Sequence, residues 1–172
     1  VTDALEALLD AGLNVLPAVD PTGKARQVAA ENIQARARGN LIMALSNARP
    51  GTLVLSTGNK SEMSVGYATL YGDMCGGFNP IKDLYKTRVQ DIAKWRNTLG
   101  QEELDRMGLK GVVNPTPEGI ITRPPTAELA PGQTDENALG AYPVLDTVLE
   151  CLIERMLSPA AAARTASQLL GQ

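Results

Sequence analysis

The stretch Thr52-Leu53-Val54-Leu55-Ser56-Thr57-Gly58-Asn59-Lys60-Ser61-Glu62 decides the fold class. Arg49-Pro50-Gly51 turns the chain into it. The uniformly apolar Leu53-Val54-Leu55 lacks the alternation of a strand with one wet face, so it predicts an interior strand of a parallel sheet. Thr57-Gly58-Asn59 then falls just past the carboxyl end of that strand, and Glu62 begins or lies within the next helix. In open parallel sheets ligands sit outside the carboxyl ends of the strands. Hydroxyls, a glycine and the free N–H groups of a helix start suit an anionic ligand. An ordinary helix N-cap at Thr57 or Ser61 explains part of the same pattern without any ligand.

Upstream, residues 3–12 place Leu5, Leu8 and Leu9 on one helical face, with Gly12 as a C-terminal cap. A connection carrying Pro and Gly follows over 17–24. A strong helix is expected over 27–46, with Ile33, Leu41, Ile42 and Leu45 facing inward. Arg36 and Arg38 lie two positions apart on it and so point to different faces.

Downstream, Tyr71-Gly72-Asp73 leads into a loop with Gly76-Gly77, and Asn79-Pro80-Ile81 approaches a second short strand. A helix over 86–97 carries Val89, Ile92, Ala93 and Trp95. Residues 115–131, rich in Pro, Thr and Gly, read either as a long functional loop or lid or as a plain surface connection. An amphipathic helix over 142–157 lines Val144, Leu145, Val148, Leu149, Leu152 and Ile153 along one side. The order helix, strand, helix, loop, strand, helix predicts an α/β fold, a partial parallel sheet flanked by helices.

Composition narrows the chemistry. The 172 residues include no histidine, which excludes Ser-His-Asp and Cys-His nucleophilic sites and any histidine-ligated metal within the chain. A metal here must be held by carboxylates and substrate oxygens, which favours Mg²⁺. Apolar residues make up 44% but aromatics only 3%, so the core rests on Leu, Val, Ile, Ala and Met. A net charge of −3 without a basic cluster argues against a nucleic-acid footprint. Cys75 and Cys151 read as small buried or half-buried apolar residues in a reducing compartment. No apolar run reaches the ~20 residues that span a bilayer, and no signal peptide precedes the first element. A cytoplasmic protein without membrane contact is expected. The chain begins at Val1, not Met, which suggests part of a longer protein.

Several blocks, in order, resemble NAD synthetase. They are Glu31-Asn32-Ile33-Gln34-Ala35-Arg36-Ala37-Arg38, then Ser56-Thr57-Gly58-Asn59-Lys60-Ser61-Glu62, then Gly66-Tyr67-Ala68-Thr69-Leu70-Tyr71-Gly72-Asp73. Gly76-Gly77-Phe78, Lys82-Asp83-Leu84-Tyr85-Lys86-Thr87, Arg123-Pro124-Pro125-Thr126-Ala127-Glu128-Leu129 and Gly132-Gln133-Thr134-Asp135-Glu136 continue the series. Together they cover residues 32–149. The resemblance implies an adenine-nucleotide α-hydrolase-like fold of the ATP pyrophosphatase type. It implies a ligase of NAD biosynthesis, in which ATP adenylates the nicotinate carboxylate of deamido-NAD and ammonia then displaces AMP to give NAD. The protein's task in such a reaction is to position substrates and to neutralise phosphate charge with Mg²⁺ and Lys or Arg.

Carried over by position, the family pattern gives ATP contacts to Thr57, Lys86 and Thr126, with Lys86 on the phosphates. Glu62 matches a glutamate assigned to Mg²⁺ or to deamido-NAD, so Glu62 and Lys86 are the catalytic candidates. Asn32 and Arg36 match residues on the deamido-NAD side, and Tyr67, Ala68, Thr69 and Leu70 follow the path of the dinucleotide. Thr57, Glu62 and Lys86 are expected to converge on one triphosphate, and Arg38 is expected to be a solvated surface charge.

The departures also inform. The family's Ser-Gly-Gly-x-Asp-Ser pyrophosphate loop, which supplies an aspartate to Mg²⁺, is not found in residues 1–172. Gly77 and Leu70 stand where the short ammonia-using members carry an aspartate and a lysine. With Gly58-Asn59-Lys60 in place of their Asp-His pair, these changes resemble the glutamine-dependent branch, whose N-terminal glutaminase domain supplies ammonia. The chain is therefore expected to be a partial ligase domain, inactive by itself, in a homo-oligomer built through the helix near 30–46. Two other readings stay open: another amidating ATP pyrophosphatase, or a non-catalytic dimerisation fragment.

Overall fold

The computed structural model describes residues 7, 10, 11, 23–129 and 132–171. The helix expected over 3–12 therefore lies, apart from Ala7, Asp10 and Ala11, outside the described residues, as does most of the connection over 17–24. The chain divides into two compact units, each assembled from separated segments.

The first unit combines the chain up to Gly58 with Gly66–Lys82 and Glu128–Gly132. Its main element is α1, Lys24–Asn47, longer by a few residues than the expected helix. Ala, Arg, Gln and Glu dominate its first half, and these are strong helix formers. Arg49-Pro50 ends it, because proline disfavours helical conformation in the residue before it. The inward face differs from the expected one. Ala35 and Gly39 are buried, while Leu41, Ile42 and Leu45 are exposed and Ile33 is half-buried. The backbone at Gly72 packs against the small residues, and a Cβ placed on Gly72 would stand 3.0 Å from the Ala35 Cβ. Only small side chains permit that approach.

The expected strand is reduced to a single parallel bridge between Leu55 and Phe78. The Ser56 N–H donates to the Phe78 carbonyl at 3.0 Å and the Gly77 N–H to the Val54 carbonyl at 2.9 Å. A Cβ on Gly76 would lie 2.7 Å from the Ser56 nitrogen, so this approach requires glycine. The direction is parallel, but Leu53 and Leu55 are 62% and 55% exposed, so neither is interior. Among the described residues the run pairs with one backbone segment, which leaves its other edge unpaired; Leu53 and Leu55 share the exposed face, while Val54 and Ser56 on the other face are half-buried and buried. The second segment also ends at Phe78, one residue before the expected strand. Pro80 has no N–H to donate, and Asn79 instead turns the chain. Its side chain donates to the Gly58 carbonyl at 2.8 Å and accepts from the Ile81 N–H at 3.2 Å.

The second unit combines Asn59–Val65, Asp83–Ala127 and Gln133–Gln172. Its helices are α2 (Lys60–Ser64), α3 (Lys86–Thr98), α4 (Gln101–Arg106), α5 (Glu118–Thr122), α6 (Asp135–Leu139), α7 (Tyr142–Leu149) and α8 (Pro159–Leu169). A π-helical turn, Glu150–Glu154, follows α7 directly. The expected helix over 142–157 is thus an α segment with a wider turn, and its stripe is rotated. Tyr142, Asp146, Leu149 and Cys151 are buried, whereas Val144 and Ile153 are exposed. The i, i+4, i+7 spacing of Tyr142, Asp146 and Leu149 puts them on one face. This helix packs against α2, α3, α6, α8 and the π turn. Leu104, Cys151, Ala162 and Ala166 complete the closest packing. Residues 115–131 contain α5, followed by irregular chain up to Leu129. No described helix is long and apolar enough to cross a membrane.

Candidate active site

Two clusters gather the sequence candidates, one in each unit. In the first unit, α1 meets the segment after α2. The Thr69 hydroxyl donates to Asn32 Oδ1 at 2.9 Å, and Arg36 Nε donates to the Leu70 carbonyl at 3.1 Å. Asp73 closes the turn by accepting the Thr69 N–H with both carboxylate oxygens, at 3.0 and 3.1 Å. Asn32, Arg36, Thr69 and Leu70 are therefore joined directly, with half-buried Tyr67 and Ala68 beside them in sequence. Arg36 uses Nε for this bond, and the residue is exposed. Arg38 is exposed, as expected of a surface charge, and its guanidinium also donates to the Glu128 carbonyl at 3.2 Å. Thr57 also belongs to this unit and is exposed at the end of the apolar run.

In the second unit, Glu62 and Lys86 form an ion pair, Nζ to Oε1, of 2.9 Å. Their side chains are 16% and 21% exposed, so this pair is better shielded than a surface bridge. Glu62 sits in the first turn of α2, where a carboxylate is favoured by the helix dipole. The cap of that helix is Asn59, not Thr57 or Ser61, and its Oδ1 accepts the Glu62 N–H at 3.0 Å. Lys86 is the first residue of α3. A cation there opposes the helix dipole, and the Glu62 carboxylate offsets that cost.

Tyr142 lies beneath the pair. Its hydroxyl is 2.9 Å from Asp135 Oδ2 and 3.3 Å from Glu62 Oε1, and the Lys86 ammonium stands 5.4 Å from its ring centroid. Burial first, and then the hydrogen bond to Asp135, push the Tyr142 phenol far above its ordinary range. It stays a neutral donor between two carboxylates. Asp135 is buried, and its second oxygen, Oδ1, has no hydrogen-bond partner among the described residues. Deeper still, the Ser61 hydroxyl donates to Asp146 Oδ1 and accepts the Lys86 N–H at 2.8 Å. Asp146 Oδ2 accepts the Thr87 N–H at 2.9 Å. Thr126 is half-buried in the chain after α5, near Pro125, whose carbonyl accepts the Asp135 N–H at 2.9 Å.

Sequence reasoning missed Tyr142 and Asp146. The signal for Asp146 was its phase, an acid on the same helical face as Tyr142 and Leu149 inside an apolar run. For cation binding, no group of three or more His, Cys, Asp or Glu converges among the described residues. A single shielded carboxylate such as Glu62 suits Mg²⁺, which keeps several waters and shares its shell with substrate phosphates.

The family model for NAD synthase matches residues 12–169. The chain is 48% identical over 159 residues to the glutamine-dependent NAD(+) synthetase of Thermotoga maritima, covering 92% of this chain and 25% of that protein. It is 56% identical over 124 residues to that of Acinetobacter baylyi, covering 72% and 21%. Among solved structures, the glutamine-dependent NAD+ synthetase from Acinetobacter baumannii, determined in complex with ADP, is 39% identical with a TM-score of 0.55, covering 95% of this chain and 25% of that one. An NMN synthetase from Francisella tularensis is 26% identical with a TM-score of 0.64, covering 96% and 56%. The chain spans about a quarter of the length of the curated relatives it matches.

Proposed function

The chain belongs to the NAD synthase family, and from that premise we propose that it supplies part of a site where ATP adenylates deamido-NAD and ammonia completes the amide. The Glu62–Lys86 pair is the observation that carries this reading, a shielded cation and carboxylate on adjoining helix starts. The nicotinate carboxylate oxygen attacks the α-phosphorus of ATP, the bridging α–β P–O bond breaks, and pyrophosphate leaves. Ammonia then attacks the acyl carbon, loses a proton, and AMP departs with the C–O bond electrons.

In this reading Lys86 neutralises phosphate charge that moves onto pyrophosphate, which strengthens its contact in the transition state. Glu62 holds the ammonium in place before the triphosphate arrives. Glu62 also offers the carboxylate that would hold Mg²⁺, which when bound would further neutralise phosphate charge; the shielded single-carboxylate donor set fits that ion. Thr57 and Thr126 supply hydroxyls to ATP. Asn32, Arg36 and the segment Tyr67-Ala68-Thr69-Leu70 face deamido-NAD, with the exposed guanidinium of Arg36 offered to its phosphates.

The glutamine-dependent relatives support glutamine as the ammonia source, delivered by an N-terminal glutaminase domain of the full-length gene product. The parallel sense of the Leu55–Phe78 bridge supports a parallel sheet that would cover Leu53 and Leu55. The exposed Leu41, Ile42 and Leu45 support contact between copies through α1 in a homo-oligomer.

The test is exchange of labelled pyrophosphate into ATP by the full-length gene product. Exchange should require deamido-NAD, should fall sharply in Glu62→Gln, and should need more deamido-NAD in Arg36→Ala. Exchange that proceeds without deamido-NAD, or that prefers another carboxylate acceptor, would overturn the proposal.

A further inference from the structure

Glu62 and Lys86 stand 24 positions apart in sequence, on the first turns of two different helices. Something must hold those two turns in register, and the ion pair alone is a weak means of doing so. Lysine carries a long flexible stem whose ordering costs side-chain entropy. A backbone fixed close to the charge reduces the freedom that remains to be lost.

We propose that Asp146 is the positioning residue that sets the Glu62–Lys86 pair, acting through Ser61. The inference rests on the reading of that pair given above. Asp146 lies on α7. Its two oxygens reach two different helix starts: Oδ1 takes the hydroxyl of Ser61, the neighbour of Glu62, and Oδ2 takes the N–H of Thr87, the neighbour of Lys86. Ser61 closes the circuit by accepting the Lys86 N–H at 2.8 Å.

The two side chains that make this circuit, Ser61 and Asp146, are buried, and Lys86 and Thr87 are half-buried. Ser61 is 0% exposed and Asp146 6%. Tyr85, the N-cap of α3, provides no side-chain cap, so Ser61 and Asp146 receive the first two N–H groups of that helix from outside it. A buried carboxylate accepting several hydrogen bonds has little freedom to shift. A displacement of about 1 Å at a reacting group can cost ~10²-fold in rate, so this anchoring bears on turnover as well as on folding. Asp146 is thereby distinguished from an acid that merely fills the core.

The test is a double-mutant cycle in the full-length gene product, read as kcat and KM for ATP at saturating deamido-NAD and glutamine. Asp146→Asn keeps the shape but replaces one acceptor oxygen by an NH₂ donor. Ser61→Ala removes the bridge to Lys86 and leaves the Asp146–Thr87 bond in place, so it remains informative if Asp146→Asn fails to fold. Either change should lower kcat at least tenfold in the otherwise native protein. In a Lys86→Met background the same change should lower it by less than twofold, because the group being positioned is gone. Equal fold-losses in both backgrounds, or no loss of kcat in the native background, would overturn the positioning role while leaving the pair's role intact. Native turnover in Lys86→Met alone would instead overturn the reading of the pair, and the proposal with it.

Discussion

Gly39 in the middle of α1 and Gly72 in the turn after Leu70 are packed backbone to backbone, so that a Cβ on Gly39 would stand 2.7 Å from the Gly72 carbonyl oxygen and 3.2 Å from Cys75 Sγ. Gly39→Ala gains about 1 kcal/mol of helix propensity. Overpacking against rigid backbone costs about 1–3 kcal/mol. The clash should win, lowering the thermal midpoint. Gly119→Ala is the control, since nothing lies within 4 Å of its Cβ position in α5. That variant should be unchanged or slightly stabilised. A stabilised Gly39→Ala would show that α1 does not pack on the Gly72 turn.

Lys86→Ala should reduce turnover of the full-length gene product about 10²-fold, the usual consequence of losing one charge contact made to a transition state, about 3 kcal/mol. Arg38→Ala should change turnover by less than about threefold. It removes an exposed hydrogen bond to the Glu128 carbonyl, about 1 kcal/mol of local stability. Steady-state kinetics on both variants decide this. Greater damage from Arg38→Ala would mean that the wrong face of α1 has been assigned to substrate.

Tyr142→Phe removes the hydroxyl that bonds to Asp135 and leaves a buried carboxylate with neither oxygen partnered by it. That should cost about 1–3 kcal/mol near pH 7. The native phenol is held above its ordinary range by burial and by Asp135. Its stabilisation is therefore complete below the unfolded value, near 10, and declines as pH rises past it. Denaturant unfolding at pH 8 and pH 11 should show the gap between native and variant proteins narrowing at the higher pH.

On the second unit's surface, Glu154 accepts hydrogen bonds from Lys60 and from the Tyr85 hydroxyl. Lys60 first, then Tyr85, hold its carboxyl below the usual carboxylate range. A depressed value stabilises the fold above the unfolded pKa and loses that contribution as pH falls through the folded one. Glu154→Gln should therefore lie below the native protein in thermal midpoint at pH 7 and converge with it below about pH 4, near the ordinary glutamate value. A gap that persists in acid would assign the effect to packing rather than charge.

The helices were legible wherever propensity and punctuation agreed. Lys24–Asn47 and Lys86–Thr98 follow from strong helix formers bounded by Pro50 and Gly100. Which face of α1 turns inward was not legible, because hydrophobic periodicity weighs side-chain size. Ala35 and Gly39 are buried for the opposite reason: they are small enough to admit another backbone. The stripe on α7 was misphased from its start, where Tyr142 and Asp146 are buried and Val144 is exposed, and beyond Leu149 the π turn shifts the register further from 3.6 residues per turn. Family resemblance named Glu62 and Lys86, but not the residues behind them. Asp146 is 85 positions from Ser61, and no local pattern reports a bond of that span.

The two units are woven from alternating stretches, with the chain changing unit after Gly58, Val65, Lys82, Ala127 and Gly132. Translation therefore cannot finish either unit from a contiguous block. At about 5–20 residues per second, the Arg38 guanidinium emerges well before Glu128, its acceptor 90 positions later. Bonds of such span raise contact order and slow folding, leaving α1 with its exposed leucines to wait for its partner segment. A nick anywhere between 83 and 127 deprives both units of a segment at once. Proteolysis in that interval should release no stable half.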